Sequence, residues 1–353
     1  MLIFFQQIQG KSDMGNWLLG IITRWDSDRY LSKTFSWAKY AYNPDVIVFL
    51  GDLMDEGSEG TDEEFRGYVK RFHSIYDTKA IKIYVPGDND IGGEGLDLVT
   101  PKKISRFQQN FPGELNYFFQ LKPDKVVLRQ NLHEPDDKTK FPIVEIIPAN
   151  LLTFKSSEES WYGLNTELEP NVKLRMVVSH MPILPTGSSP KFSKEVMKYL
   201  KPSVIFSAHD HRGLDFSLEK SQKIALGNVT IFTQKRNIED HDSEPEQPKI
   251  ILHQSDTRIH EIIVPTCSYR MGVKEMAFGL AKISFDTENV DEVTYSNLWL
   301  PSRFPLLYVY LAAVSISSTL FLVGRIKKRS NSTPRRRRNS SSPGSKSNYS
   351  KLV

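Results

Sequence analysis

Val46-Ile47-Val48-Phe49-Leu50-Gly51-Asp52-Leu53-Met54-Asp55 is the stretch on which the reading of this chain turns. Its five leading apolar residues, three of them β-branched, read as a strand buried on both faces, and the glycine lets the backbone turn and present the Asp52 carboxylate. The same construction recurs three times. Ile81 to Val85 precedes Gly87-Asp88-Asn89-Asp90, Leu174 to Val178 precedes Ser179-His180, and Val204 to Phe206 precedes Ala208-His209-Asp210-His211. Such strands belong to an α/β sheet, whose ligands gather at loops leaving the C-terminal strand ends. The pattern therefore points to one metal site built from Asp52, Asp88, His180, His209 and His211. Each string alone is common; the conjunction, in this order, carries the reading. Carboxylates mixed with imidazoles suit Mn, Fe or Zn rather than Ca or Mg alone.

Helical spacing surrounds the first two strands. Asp26 to Tyr42 places Leu31, Thr34, Phe35, Ala38 and Ala41 on one face, and Pro44 stops it. Thr61-Asp62-Glu63-Glu64 is a capping box before Phe65, Val69 and Phe72, and Pro101 opens a helix with Ile104, Phe107 and Phe111 inward. These aromatics read as core packing. Further on, strand-like runs such as Ile143 to Ile147 dominate, and 130–140 and 237–247 read as surface insertions. Cys267 is the single cysteine, so no intrachain disulfide can form.

The formal charge of +4 is unevenly placed. Ten Lys or Arg and no acid follow Gly324, and subtracting that +10 leaves the rest of the chain at −6. A nucleic-acid partner is therefore disfavoured. Phe304 to Val323 is uncharged and apolar, long enough for the roughly 20 residues that cross a bilayer core. The basic cluster after it, with Arg335 to Arg338, places the tail in the cytosol and the large domain in a lumen. The expected organisation is a lumenal domain over 1–300, a transmembrane helix over 304–323 and a disordered basic tail over 324–353. Met1 to Phe5 is too short for a signal-peptide core, so the amino end is expected to be truncated.

The four motifs resemble those of the calcineurin-like metallophosphoesterases, in which D-x-H, G-D-x-x-D, G-N-H-D/E, a lone His and G-H-x-H follow in that order. The resemblance covers roughly residues 5 to 215 and implies an α/β fold, a four-layer αββα sandwich. It also implies two divalent metals, Mn with Fe or Zn as alternatives, and in-line attack on phosphorus by an activated water. It assigns Asp52 to bridge the metals, His180 and His209 to the second metal and His211 to the first. Gly51 to Gly57, Val264 to Arg270 and Leu300-Pro301 before the apolar segment look like the membrane-bound branch that remodels GPI anchors. That likeness implies removal of ethanolamine phosphate from GPI glycans in the endoplasmic reticulum, its exit sites or the Golgi, with GPI glycolipid, GPI-anchored proteins and the membrane as partners.

Two motifs depart from the family pattern, at three positions. Asp88 stands where Asn is usual, and Asn89 where a histidine would protonate the leaving group. Phe5 stands where the opening motif would carry its aspartate, leaving Gln7 as the one polar candidate there. The competing expectation is a catalytically impaired relative, holding a single metal and acting as a glycolipid-binding trafficking factor. A metal-dependent nuclease shares the signature but not the acidic body or the apolar segment.

Overall fold

The computed structural model describes residues 1–5, 17–113, 117–123, 125–129, 141–154, 172–184, 190–219, 228–231, 250–253, 256, 258–287 and 289–331. Two compact units emerge, Met1–Ser302 and Arg303–Val353. The expected loops at 130–140 and 237–247, Gln7, and Arg335 to Arg338 lie outside the described residues.

The first unit is built on two mixed sheets. The six-stranded sheet contains β1 (Leu2–Phe5), β2 (Val46–Phe49), β3 (Ile81–Tyr84), β11 (Ile250–His253), β13 (Ala277–Phe285) and β14 (Val290–Trp299), in the order β11-β14-β13-β1-β2-β3. The eight-stranded sheet contains β4 (Tyr117–Leu121), β5 (Val126–Arg129), β6 (Ile143–Pro148), β7 (Val172–Val178), β8 (Val204–Ser207), β9 (Leu214–Glu219), β10 (Asn228–Ile231) and β12 (Arg258–Ile263). Its order is β10-β9-β12-β8-β7-β6-β4-β5. Parallel pairing joins β1-β2-β3 in the first sheet and β6-β7-β8-β12 in the second. All four strands expected to lead into the site are present within two residues of their expected bounds.

Alternate residues of both sheets fill the space between them. Val46, Val48 and Leu50 meet Met176, Val178 and Phe206 in one buried cluster, and the Phe4 ring stacks on Phe206 at 4.1 Å. Outside the six-stranded sheet pack α1 (Trp17–Tyr42), α2 (Asp62–Ile75) and α4 (Pro101–Asn110), with the short α3 (Asp88–Ile91) between them in sequence. Phe35, Phe49, Phe72, Tyr76 and Phe111 form an aromatic layer there. The Thr61 capping box forms as expected: Glu64 N donates to Thr61 Oγ1 at 3.3 Å and Thr61 N to Glu64 Oε2 at 2.8 Å. By contrast, α1 starts nine residues before the expected Asp26, because Trp17 to Trp25 is apolar around the helix and shows no one-sided period.

The eight-stranded sheet holds a buried ion pair. Arg175 on β7 lies in register with Glu145 on β6, and its Nε donates to Glu145 Oε2 at 2.6 Å with each side chain 4% exposed. Its Nη1 also donates to Leu200 O at 2.9 Å. Removing one partner strands a charge in the core. Arg175→Met is therefore expected to cost about 3–5 kcal/mol in urea unfolding, and Arg175→Met with Glu145→Leu to recover most of it. Equal losses in the single and double variants would contradict this account.

The second unit contains the helix Phe304–Asn331. Its segment Phe304–Lys328 has a mean hydropathy of 2.0 and no burial, long and apolar enough to cross a membrane.

Candidate metal centre

Four loops bring the site together, two from each sheet. After β2, Gly51 at φ 94° and Asp52 at φ 55° reverse the chain. After β3, Gly87 caps α3, which begins at Asp88 and Asn89. His180 follows β7, and His209 and His211 follow β8. Five non-glycine residues among those described have positive φ, and three of them are Asp52, His209 and His211. Backbone strain concentrated on candidate ligands is a mark of a functional site, since such conformations persist only where the surroundings enforce them.

The glycines are required by contact. A Cβ on Gly87 would collide with the Asp52 carboxylate and backbone nitrogen, and one on Gly51 would sit 2.7 Å from His180 Cγ. Close approach of the loops leaves no room for a side chain at either position.

His180 is fully buried, and its Nδ1 donates to Leu50 O at 2.7 Å. That bond aims Nε2 at the carboxylates, 2.8 Å from Asp88 Oδ1 and 3.5 Å from Asp52 Oδ1. A backbone carbonyl fixing the remote ring nitrogen is the usual way a ligating histidine is oriented. His209 Nδ1 lies 3.3 Å from both Asp88 Oδ1 and His180 Nε2. The ligand atoms of Asp88, His180 and His209 all lie within 4.8 Å of one another. His211 is half-buried and stands outside that trio. Asn89 N donates to Asp52 Oδ1 at 3.2 Å, placing this residue at the edge of the cluster.

Phe5 does not take a ligand's place. It pairs with Phe49 in the β1–β2 register, three residues short of the level of Asp52, and its ring packs against Phe35, Phe49, Tyr76 and Phe278. Its side chain belongs to the helix-side aromatic layer.

Charge in the cluster is balanced by proximity. Burial by itself would lower the His180 pKa, but the Asp52 and Asp88 carboxylates outweigh it and push it up to about 9. Burial raises Asp52, only partly offset by His180. Burial also opposes ionisation of Asp88, yet hydrogen bonds from His180 and His209 hold it well below the carboxylate range. The bond to Asp88 raises His209, whereas burial and the two neighbouring imidazoles lower His211.

Two further acids shape the loops: Asp90 lies inside the second motif but was given no role there, and Glu261 lies in no motif. Asp90 is fully buried and accepts from Gly87 N at 2.8 Å, Met54 N at 3.0 Å and Leu53 N at 3.2 Å, tying the Asp52 loop to the Asp88 loop. Its signal was the capping-box spacing from Gly87. Glu261 on β12 is equally buried and accepts from Ile183 N at 2.6 Å and from Leu184 N, holding the loop after His180. Its signal was a lone acid within the apolar run Ile259 to Val264, where an unpaired carboxylate would be costly.

Burial pushes the Glu261 pKa up to about 7 from an ordinary 4.5. The folded state then binds the proton more tightly, so this stability is fully present below pH 4.5 and is lost as pH rises through 7. Between pH 5 and 8 the protein is expected to lose up to about 3 kcal/mol relative to Glu261→Gln. Urea unfolding of both proteins at the two pH values measures the difference, and parallel pH profiles would refute it.

Two buried carboxylates facing two imidazoles at adjoining strand ends define a metal-binding α/β sandwich. The donor set fits a divalent cation: the carboxylates supply negative charge, and the fixed His180 tautomer offers Nε2 once its proton leaves. Residues 12–213, more than half of the sequence, match the family model described as calcineurin-like phosphoesterase. The chain belongs to that family. It is similar to Metallophosphoesterase 1 of Danio rerio, 33% identical over 101 residues, covering 28% of this chain and 24% of the relative. It is also similar to Cell division control protein 1 of Saccharomyces cerevisiae, 22% identical over 215 residues, covering 55% and 42%. The chain thus spans less than half the length of these curated relatives. A crystal structure of a dimetal phosphatase from Danio rerio overlaps loosely, with a TM-score of 0.42 and 11% identity, covering 84% of this chain and 98% of that one.

Proposed function

We propose that this protein is a membrane-anchored, metal-dependent phosphodiesterase that removes ethanolamine phosphate from GPI glycans in the early secretory pathway. The observation that carries the reading is the cluster of buried Asp52, Asp88 and His180 with half-buried His209. Similarity to Metallophosphoesterase 1 and an apolar helix that can span a bilayer support the placement on a membrane glycolipid. Asp52, Asp88, His180, His209 and His211 would hold two divalent cations, Mn foremost, with Fe or Zn as alternatives. When bound, such cations neutralise phosphate oxygens and acidify an attacking water. The chain itself fixes the His180 tautomer through Leu50, and Asp90 keeps the Asp52 and Asp88 loops at a constant separation. Asn89 has no proton to give a leaving group near neutral pH.

Asn89 also favours a second reading, a glycolipid-binding trafficking factor that retains the fold and a single metal. Metal analysis separates the two. The full chain, purified in detergent and loaded with Mn, is expected to hold two ions and to hydrolyse a generic aryl phosphodiester. In cells lacking the protein, the glycans of a GPI-anchored reporter are expected to gain one ethanolamine phosphate in mass, and re-expression to remove it. One ion, no turnover and unchanged glycans would favour the binding factor. In the same cells a tag at Val353 should react with antibody after plasma-membrane permeabilisation alone; protection would reverse the proposed lumenal orientation.

A further inference from the structure

The first half of α1 exposes Ile21, Ile22 and Trp25, the last 60% accessible, although they lie beside the end of the sandwich that carries the metal-binding loops. Phe35 packs against Phe5, the last residue of β1. Since α1 runs back toward the start of β2, everything before Phe35 projects beyond the C-terminal strand ends. At 1.5 Å per residue, Trp25 stands about 15 Å further along the axis.

The chain leaves the sandwich at this same end. Phe4 pairs with Gly279 near the start of β13, and Ala277 pairs with Trp299, the last residue of β14. Tyr30 Oη then donates to Pro301 O at 2.9 Å, fixing the exit beside α1 about 7.5 Å along the axis from Trp25. Only Ser302 and Arg303 separate Pro301 from Phe304, where the apolar helix begins. At 3.3–3.6 Å per residue, covalent reach alone keeps that start within about 11 Å of Pro301.

Charge on the helix is sorted. Asp26 is buried and accepts from Tyr269 Oη at 2.8 Å, and Asp28 is held by Arg71 at 2.6 Å. Outward there remain Ile21, Ile22 and Trp25 with the half-buried Thr23 and Arg24 and the exposed Arg29, whose guanidinium lies 5.5 Å from the Trp25 ring. Tryptophan and isoleucine beside arginine, within reach of a membrane helix, is the composition of a segment seated among lipid headgroups.

We propose that Ile21, Ile22 and Trp25 of α1 contact the headgroup region of the bilayer that Phe304–Lys328 can span. The inference rests on that helix being a span. It does not depend on which phosphoester is the substrate.

The full chain is reconstituted in phosphatidylcholine vesicles whose acyl chains are brominated near the headgroup, and tryptophan emission is compared with plain vesicles. Bromine quenching is expected in the unaltered protein, to lose its largest single share in Trp25→Phe and to persist in Trp37→Phe, which alters an exposed ring about 18 Å along the helix toward the opposite end. Quenching unchanged by Trp25→Phe in a chain retained after carbonate washing would overturn the contact while leaving the span intact. Release by carbonate would overturn the span and the contact with it. Light scattering in detergent is expected to give a monomer for both the unaltered chain and Trp25→Glu; a dimer dissociated by Trp25→Glu would assign this face to a second copy instead. Trp25 is mostly exposed, so unchanged melting of each variant serves as the folding control.

Discussion

Asn89→His is expected to raise kcat for a phosphodiester with a poor, alkoxide-type leaving group by about 10²–10⁴, the usual yield of general acid catalysis. Turnover of a p-nitrophenyl ester should change little, because that leaving group departs without a proton. The position suits the exchange. Asn89 is half-buried at the edge of the cluster, and its backbone is held from both sides, with N donating to Asp52 Oδ1 at 3.2 Å and O accepting from Ser58 N at 2.8 Å. A new imidazole would therefore start from a fixed Cα and reach toward the space before the carboxylates. Its ordinary pKa near 6.5 leaves a useful acid fraction at neutral pH, whereas the amide offers none. The measurement is kcat on both substrate types with metal content determined in parallel. Equal acceleration of the two substrates would mean that the variant altered metal binding, and no acceleration on either would place the proton donor elsewhere.

The strands of this fold were legible where burial is two-sided. Val46 to Leu50 and Leu174 to Val178 belong to strands with neighbours on both sides and packing on both faces, so they appear as unbroken apolar runs. The ligands at their ends were legible for the same reason, since each must follow a strand that the sequence marks plainly. Short antiparallel strands such as β9 and β11 carry alternating or mixed residues and left only a general strand-like impression. Nothing local indicates that β13 and β14 return to complete the first sheet beside β1. The first half of α1 was missed because apolar residues surround it, so no single face stands out. Asp90 and Glu261 were missed because each acts through backbone N–H groups, which have no sequence identity: Asp90 binds Leu53 and Met54 across the β2–β3 gap, and Glu261 binds Ile183 and Leu184. Phe5, at the position of the opening motif's aspartate, pairs with Phe49, and its ring lies in the aromatic layer.

His180→Ala is expected to abolish binding of at least one cation and to lower turnover by about 10³ or more, since the charge stabilisation a cation supplies amounts to several kcal/mol and each 1.4 kcal/mol is tenfold. Both ring nitrogens of His180 are committed, Nδ1 to Leu50 O and Nε2 to Asp88 and Asp52. In the metal-free protein Nε2 carries a proton, because the two carboxylates raise its pKa to about 9. A cation must displace that proton, so binding should release it and the apparent affinity should weaken as pH falls from 9. Calorimetric titration with Mn in two buffers of different ionisation enthalpy counts the protons: close to one from His180 near neutral pH in the unaltered chain, and none from this position in His180→Gln. The alanine variant also leaves Asp52 and Asp88 buried side by side without a cation between them, and that like-charge pair should lower the melting temperature of the metal-free protein. His180→Ala combined with Asp88→Asn relieves the repulsion without restoring the ligand. Recovery of melting temperature in the double variant, with metal binding still absent, would separate the role of His180 in the fold from its role at the metal; recovery of metal binding as well would show that His180 is a structural partner and not a ligand.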